Sequence, residues 1–146
     1  MVQLIQQYFT DSAKKYLDKL AVDVWHEEKS DRKLKEPKYV NDALEMSFDK
    51  LEKYSNRLAR HLKNKGVCRG DRVALMFMKV SSVDAIASIL AILKCDAIYV
   101  PTSHTLPAER VSKVLDDSGA KLMICNSYLA KELKKYDKLS NFQNQT

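Results

Sequence analysis

From residue 43 to residue 126, four short apolar runs alternate with three stretches of helical spacing. The runs are ALEMSF at 43–48, RVALMFM at 72–78, AIYVP at 97–101 and KLMICN at 121–126. No other feature restricts the fold so tightly. Strands separated by helices of ten or more residues are joined by crossovers, run parallel and turn right-handed. Parallel strands are covered on both faces, which fits apolar runs that are nearly continuous. The pattern predicts an α/β fold, a mainly parallel sheet with helices on both faces.

The helical stretches carry their own signals. Leu51, Tyr54, Leu58 and Leu62 make one apolar stripe, with Lys50, Lys53, Arg57, Arg60 and Lys63 largely outside it. Asp49 and Glu52 have capping-box spacing, and Ser47 is a second candidate cap. Gly66 stands where this helix must end, and Gly70-Asp71 reads as a turn. Ser81 and Asp84 offer start chemistry for SSVDAIASILAILK. That helix is apolar on nearly every face, through Val83, Ile86, Ile89, Leu90, Ile92 and Leu93, so it is expected to be buried on several sides. Pro107 fits the first turn of the next helix, with Val111, Val114 and Leu115 inward and Gly119 at its end.

Upstream, Leu4, Ile5, Tyr8, Phe9, Ala13, Tyr16, Leu17 and Leu20 predict an amphipathic helix within 3–20. LAVDVW at 20–25 reads as a strand that pairs with 43–48 as a hairpin. The charged stretch 26–42 between them, with Pro37, reads as a long solvated loop. After Asn126 a short helix leads into a polar tail.

A chain of 146 residues with 45% apolar and 30% charged residues suits one soluble globular domain. The longest apolar run, AIASILAIL at 85–93, is half of what a membrane span needs. The N-terminus lacks a basic n-region and a cleavage pattern, so the expected compartment is the cytosol. Cys68, Cys95 and Cys125 form no C-x-x-C pair and read as reduced thiols, mostly buried. His26, His61 and His104 are isolated, so no metal site is expected. The net charge of +6 is spread over lysines without aromatic interleaving, so no nucleic-acid partner is expected.

In open α/β sheets, ligands bind beyond the carboxyl ends of the strands. Here those loops are 78–82, 101–106 and 126 onward. A phosphate site would need glycines for close backbone approach, yet Gly66, Gly70 and Gly119 all have turn or helix-exit positions. Neither G-x-G-x-x-G nor a P-loop pattern occurs. Ser103 and His104 invite a nucleophile-and-base reading, but adjacent loop residues rarely align and no third group orients them. Thr102 and Ser103 are expected to satisfy backbone groups at the turn. Asp116 and Asp117 read as a solvated helix end, and Cys95-Asp96 as a packed helix exit. The residues by themselves predict no catalytic, cofactor-binding or metal-ligating position.

LKCDAIYVP at 93–101, followed by PAER at 107–110, resembles the second core motif of the AMP-forming adenylating enzymes. That superfamily includes amino-acid adenylation domains of non-ribosomal peptide synthetases, acyl-CoA synthetases and luciferases. Leu93, Lys94, Ala97, Tyr99, Val100 and Pro101 match the motif. Ser47, Phe48 and Leu51, with SNRLARHL at 55–62, resemble the first core motif. KGVCRGDRVAL at 65–75 and LDDSGAKLMICNS at 115–127 resemble the segments that follow, in the same order, so the likeness covers residues 3–127. The family's alanine-glycine after the lysine is Cys95-Asp96 here, its frequent acidic residue after the proline is Ser103, and the 26–42 loop is longer.

The resemblance implies the first part of the large N-terminal domain of an adenylate-forming enzyme. It divides the chain into a partial α/β subdomain over 1–128 and a polar tail over 129–146, the tail partly disordered. The whole enzyme would use ATP and magnesium to turn a carboxylate into an acyl-adenylate and pyrophosphate. The acyl group would then pass to carrier-protein phosphopantetheine or coenzyme A. The phosphate loop and the catalytic-lysine domain of the family come after the last strand read here. The chain alone is therefore expected to be inactive, to bind no cofactor, and to self-associate where the rest of the enzyme would cover it. Two other readings stand beside this one: a free-standing α/β module that binds a ligand or protein, and a structural or regulatory remnant.

Overall fold

A computed structural model describes residues 4–23, 45–78, 82–133, 135 and 144–145 of the chain. An N-terminal helix, α1 (Ile5–Lys15), precedes a strand pair, β1 (Leu20–Asp23) and β2 (Glu45–Ser47). Then come α2 (Phe48–Asn64), β3 (Arg72–Met76), α3 (Val83–Lys94), β4 (Ile98–Pro101), α4 (Ala108–Ser118), β5 (Leu122–Cys125), α5 (Ser127–Leu133) and β6 (Asn144–Gln145). The main sheet has the order β4-β3-β5-β6 and all its pairs are parallel. β1 and β2 pair antiparallel, with an irregularity between Leu20 and Val22. The hairpin partners are thus as expected, but β2, the first of the four alternating runs, stays in this pair and does not join the parallel sheet, and the loop 26–42 lies outside the described residues.

Strand register sorts the side chains onto two faces. Val73 and Leu75 lie beside Leu122 and Ile124, and pack with Ala59 and Leu62 of α2 and Ala91 and Ile92 of α3. Ala74 and Met76 lie beside Met123 and Cys125, and pack with Val111 and Leu115 of α4 and Leu129, Ala130 and Leu133 of α5. Helices therefore cover both faces. A third cluster, Val22, Leu51, Val83, Ala87 and Leu90, ties the hairpin to α2 and α3. It explains why α3 is apolar nearly all round, because α2, the hairpin and the sheet surround it. Ile86, Ile89 and Leu93 stay half-buried.

β4 departs from the picture of a strand covered on both faces. Ile98 is 51% exposed and Tyr99 39%. The strand is the outer edge of the sheet. The backbone N–H groups of Ile98 and Thr102 donate inward to Asp71 and Leu75 carbonyls, each at 2.8 Å. By alternation Pro101 faces away from β3, so its missing N–H costs no ladder bond.

Helix boundaries follow local chemistry. Ser47, not Asp49, caps α2, accepting the Lys50 N–H at a long 3.5 Å. Asp49 instead pairs with Lys53 at 2.7 Å. Ser82 caps α3 by accepting the Ala85 N–H at 3.2 Å, whereas Ser81 lies outside the described residues. Pro107 stands one position before α4 with extended geometry, φ −57° and ψ 147°. Gly119 ends α4 at φ +60°, and a Cβ there would lie 2.9 Å from the Arg72 guanidinium. α5 carries the chain across residue 128, and its Leu129, Ala130 and Leu133 are buried in the core.

Candidate functional site

The strand order defines where a ligand edge lies. From β3 the chain crosses through α3 to β4, then α4 takes it back past β3 to β5. The switch point is thus between the carboxyl ends of β3 and β5, at Met76 and Cys125, which are register partners. The residues that follow are Phe77, Met78 and Asn126. Asn126 spends its side chain on α5, where Oδ1 accepts the Leu129 N–H at 3.0 Å. All three glycines belong to the opposite edge: Gly66 and Gly70 precede β3, and Gly119 precedes β5. The described residues of the ligand edge therefore offer no glycine cradle for a nucleotide phosphate.

The loop after β4 is a turn built on itself. Thr102 is buried, and its hydroxyl donates to the Val100 carbonyl at 3.4 Å. Ser103 Oγ and Thr105 Oγ1 lie 2.8 Å apart, and Ser103 Oγ also accepts the Thr105 N–H at 3.3 Å. His104 is exposed beside them, and neither hydroxyl bonds to its ring. The fold thus gathers Thr102, Ser103 and Thr105 into backbone-satisfying contacts without aligning Ser103 on His104. Asp116 and Asp117 are exposed at the end of α4.

The two buried thiols are not poised for chemistry. Cys95 is buried with Sγ 3.4 Å from the Ala59 carbonyl. Burial and then the Asp96 charge push its pKa up, against a lowering by Lys63. Burial pushes the Cys125 thiol up to about 11. A thiol held protonated is a poor nucleophile. Cys68 is exposed. Among the described residues no three His, Cys, Asp or Glu side chains come together as a metal site.

One polar cluster escaped the sequence reading. Lys94, at the end of α3, donates to Glu52 Oε2 at 2.7 Å and to Ser55 Oγ and Asn56 Oδ1 at 2.8 Å each. Glu52 Oε1 accepts from Thr10 and Asn56 at 3.1 Å each. The Lys94 and Glu52 side chains are only 11% and 18% exposed. The motif lysine is thereby a tie between α1, α2 and α3, with each ammonium proton given an acceptor. A detectable signal existed: Glu52 falls beside Leu51 and Ser55, on the inward side of α2. Close by, Tyr54 donates to Asp84 Oδ1 at 2.9 Å. Burial, then Asp84, pushes that phenol up to about 12.

Fold and edge together define an open parallel α/β sheet whose ligand edge, over the described residues, lacks a phosphate cradle of its own. The chain belongs to the AMP-binding enzyme family, whose profile matches residues 9–145. Gramicidin S synthase 2 of Brevibacillus brevis is 31% identical over 131 residues, 90% of this chain but 2% of that protein. Bacitracin synthase 2 of Bacillus licheniformis is 33% identical over 103 residues, 70% of this chain and 4% of that protein. The nonribosomal peptide synthetase FmoA3 superposes with a TM-score of 0.73 at 25% identity, over 90% of this chain and 12% of that one. The N-terminal subdomain of Klebsiella oxytoca NpsA shares the fold with a TM-score of 0.66 at 20% identity, over 85% of this chain and 27% of that one. The chain thus corresponds to the N-terminal portion of an adenylate-forming domain and spans a small part of each synthase. No helix among the described residues is long and apolar enough to cross a membrane.

Proposed function

We propose that the chain supplies the N-terminal portion of an ATP-dependent ligase that activates a carboxylate as its acyl- or aminoacyl-adenylate. The observation that carries this reading is the unit Leu93–Arg110. Its motif residues form the exit of α3, the edge strand β4 and the start of α4, within a family match over residues 9–145. By this reading the 146 residues alone would not adenylate, and the described residues would hold no catalytic residue and no cofactor site. This rests on the ligand edge, where Asn126 is committed to capping and the glycines lie on the far side. In the whole enzyme, ATP and magnesium would supply the adenylyl group, and the remainder of the adenylation domain would hold them. The acyl acceptor would be carrier-protein phosphopantetheine or coenzyme A, in the cytoplasm. Within that enzyme, residues 1–128 would form part of an α/β subdomain and residues 129–146 a polar tail.

ATP–pyrophosphate exchange tests both halves. The chain alone is expected to give none with any amino or carboxylic acid. Mixed with the complementary remainder of a family adenylation domain, it is expected to restore exchange. Exchange by the chain alone would overturn the inactivity. A complement that is rescued by its own N-terminal portion but not by this chain would overturn the ligase reading.

A further inference from the structure

We propose that the outer face of α2 docks the acidic face of a helix from a partner protein or domain. The inner face of α2 is Leu51, Ser55, Ala59 and Leu62, all buried. Directly opposite run Lys50, Lys53, Arg57 and Arg60, all exposed. Their spacing is i, i+3, i+7 and i+10, a single row of cations about 15 Å long.

The row is poorly neutralised from within. Asp49 pairs with Lys53 at 2.7 Å. Arg57 lies over the Tyr54 ring at 6.0 Å from its centroid. Lys50 and Arg60 have no ionic partner among the described residues. The other helices mix their charges: Lys14 pairs with Asp11 on α1, and α4 interleaves Glu109, Arg110, Lys113, Asp116 and Asp117. Like charges three and four residues apart destabilise a helix, so this row is held against self-repulsion. Carboxylates on a second helix, at the same three- and four-residue spacing, would face it one for one and relieve that repulsion.

A helix suits the row better than nucleic acid does. The row follows one face of a single helix, with exposed Lys63 beside its end, and has no exposed aromatic to stack a base. Tyr54, the aromatic beside it, is committed to Asp84 at 2.9 Å.

The test uses an alanine-based helical peptide of about 20 residues with glutamates at that spacing. A scrambled peptide, a DNA duplex and phosphatidylglycerol vesicles serve as competitors. The 146-residue chain is expected to bind the patterned peptide at low salt and to release it as salt rises. The variant Lys50→Gln/Arg57→Gln/Arg60→Gln is expected to bind about tenfold more weakly while melting no lower than the parent, because it relieves the row's self-repulsion. Arg60→Gln alone is expected to weaken binding about twofold, which keeps the result readable if the triple variant melts early. Lys14→Gln/Lys15→Gln/Arg69→Gln, which alters the same charge elsewhere, is expected to bind nearly as the parent does. Equal loss in that control, equal binding of the scrambled peptide, or tighter binding of DNA or vesicles would overturn the proposal. None of these outcomes depends on ATP, so they leave the ligase reading untouched.

Discussion

Asp96 leaves α3 at φ 54°, a left-handed conformation that costs most side chains energy. The backbone holds it there from both sides. Its N–H donates to Leu93 O at 3.0 Å and its carbonyl accepts the Gly70 N–H at 2.9 Å. Glycine, the residue usual in the resembling motif, relieves that cost. Asp96→Gly is expected to stabilise the chain by about 0.5 kcal/mol, read by urea unfolding, while Asp96→Val loses more than 1 kcal/mol, roughly. Lys94 presents a different case. Lys94→Met leaves Glu52 largely buried without its cation, with an expected loss of about 2 kcal/mol. A double-mutant cycle with Glu52→Gln is expected to show coupling, because each residue is the other's closest charge at 2.7 Å. Additive losses would mean that the pair acts only through packing. Asp96 was legible as a helix exit, since only a few residue types tolerate that turn. The partners of Lys94 were not legible, because they come from α2, about 40 residues upstream in sequence.

Among the elements, the crossover helices and their strands follow from periodicity, and their starts from caps. Ser82→Ala removes the cap of α3 and is expected to cost about 1 kcal/mol by thermal or chemical unfolding. Ser81→Ala, one position earlier, is the matched comparison. An equal loss there would mean that the helix starts elsewhere. The exposure of β4 was not legible in its apolar run. Apolarity reports that a strand suits a sheet, and strand order decides whether it is central. Pro101 was the available hint, because proline is tolerated where no ladder bond is needed. The turn of Thr102, Ser103 and Thr105 follows from hydroxyl chemistry next to a strand end, as expected for these residue types.

For the molecule as a whole, most of the exposed large apolar side chains among the described residues gather in two places, with Met78 and Tyr128 apart from them. One is the β4 rim, with Ile98 and Tyr99. The other is the N-terminal helix and hairpin, with Leu4, Ile5, Tyr8, Leu17 and Leu20. α3, expected to be buried on several sides, is covered. The isolated chain is expected to bind a hydrophobic dye and to self-associate through these rims. Ile98→Lys/Tyr99→Lys is expected to lower dye binding and to shift sedimentation toward monomer without loss of helix content. No change on substitution would move the contact to the N-terminal rim. The sequence by itself determined the parallel α/β order, the caps and exits, and the family likeness, because these rest on local spacing and backbone preference. The tertiary structure alone decided which strand is the edge, which face of the sheet each helix covers, and that Lys94 binds Glu52, because each depends on groups distant in sequence meeting across packed helices.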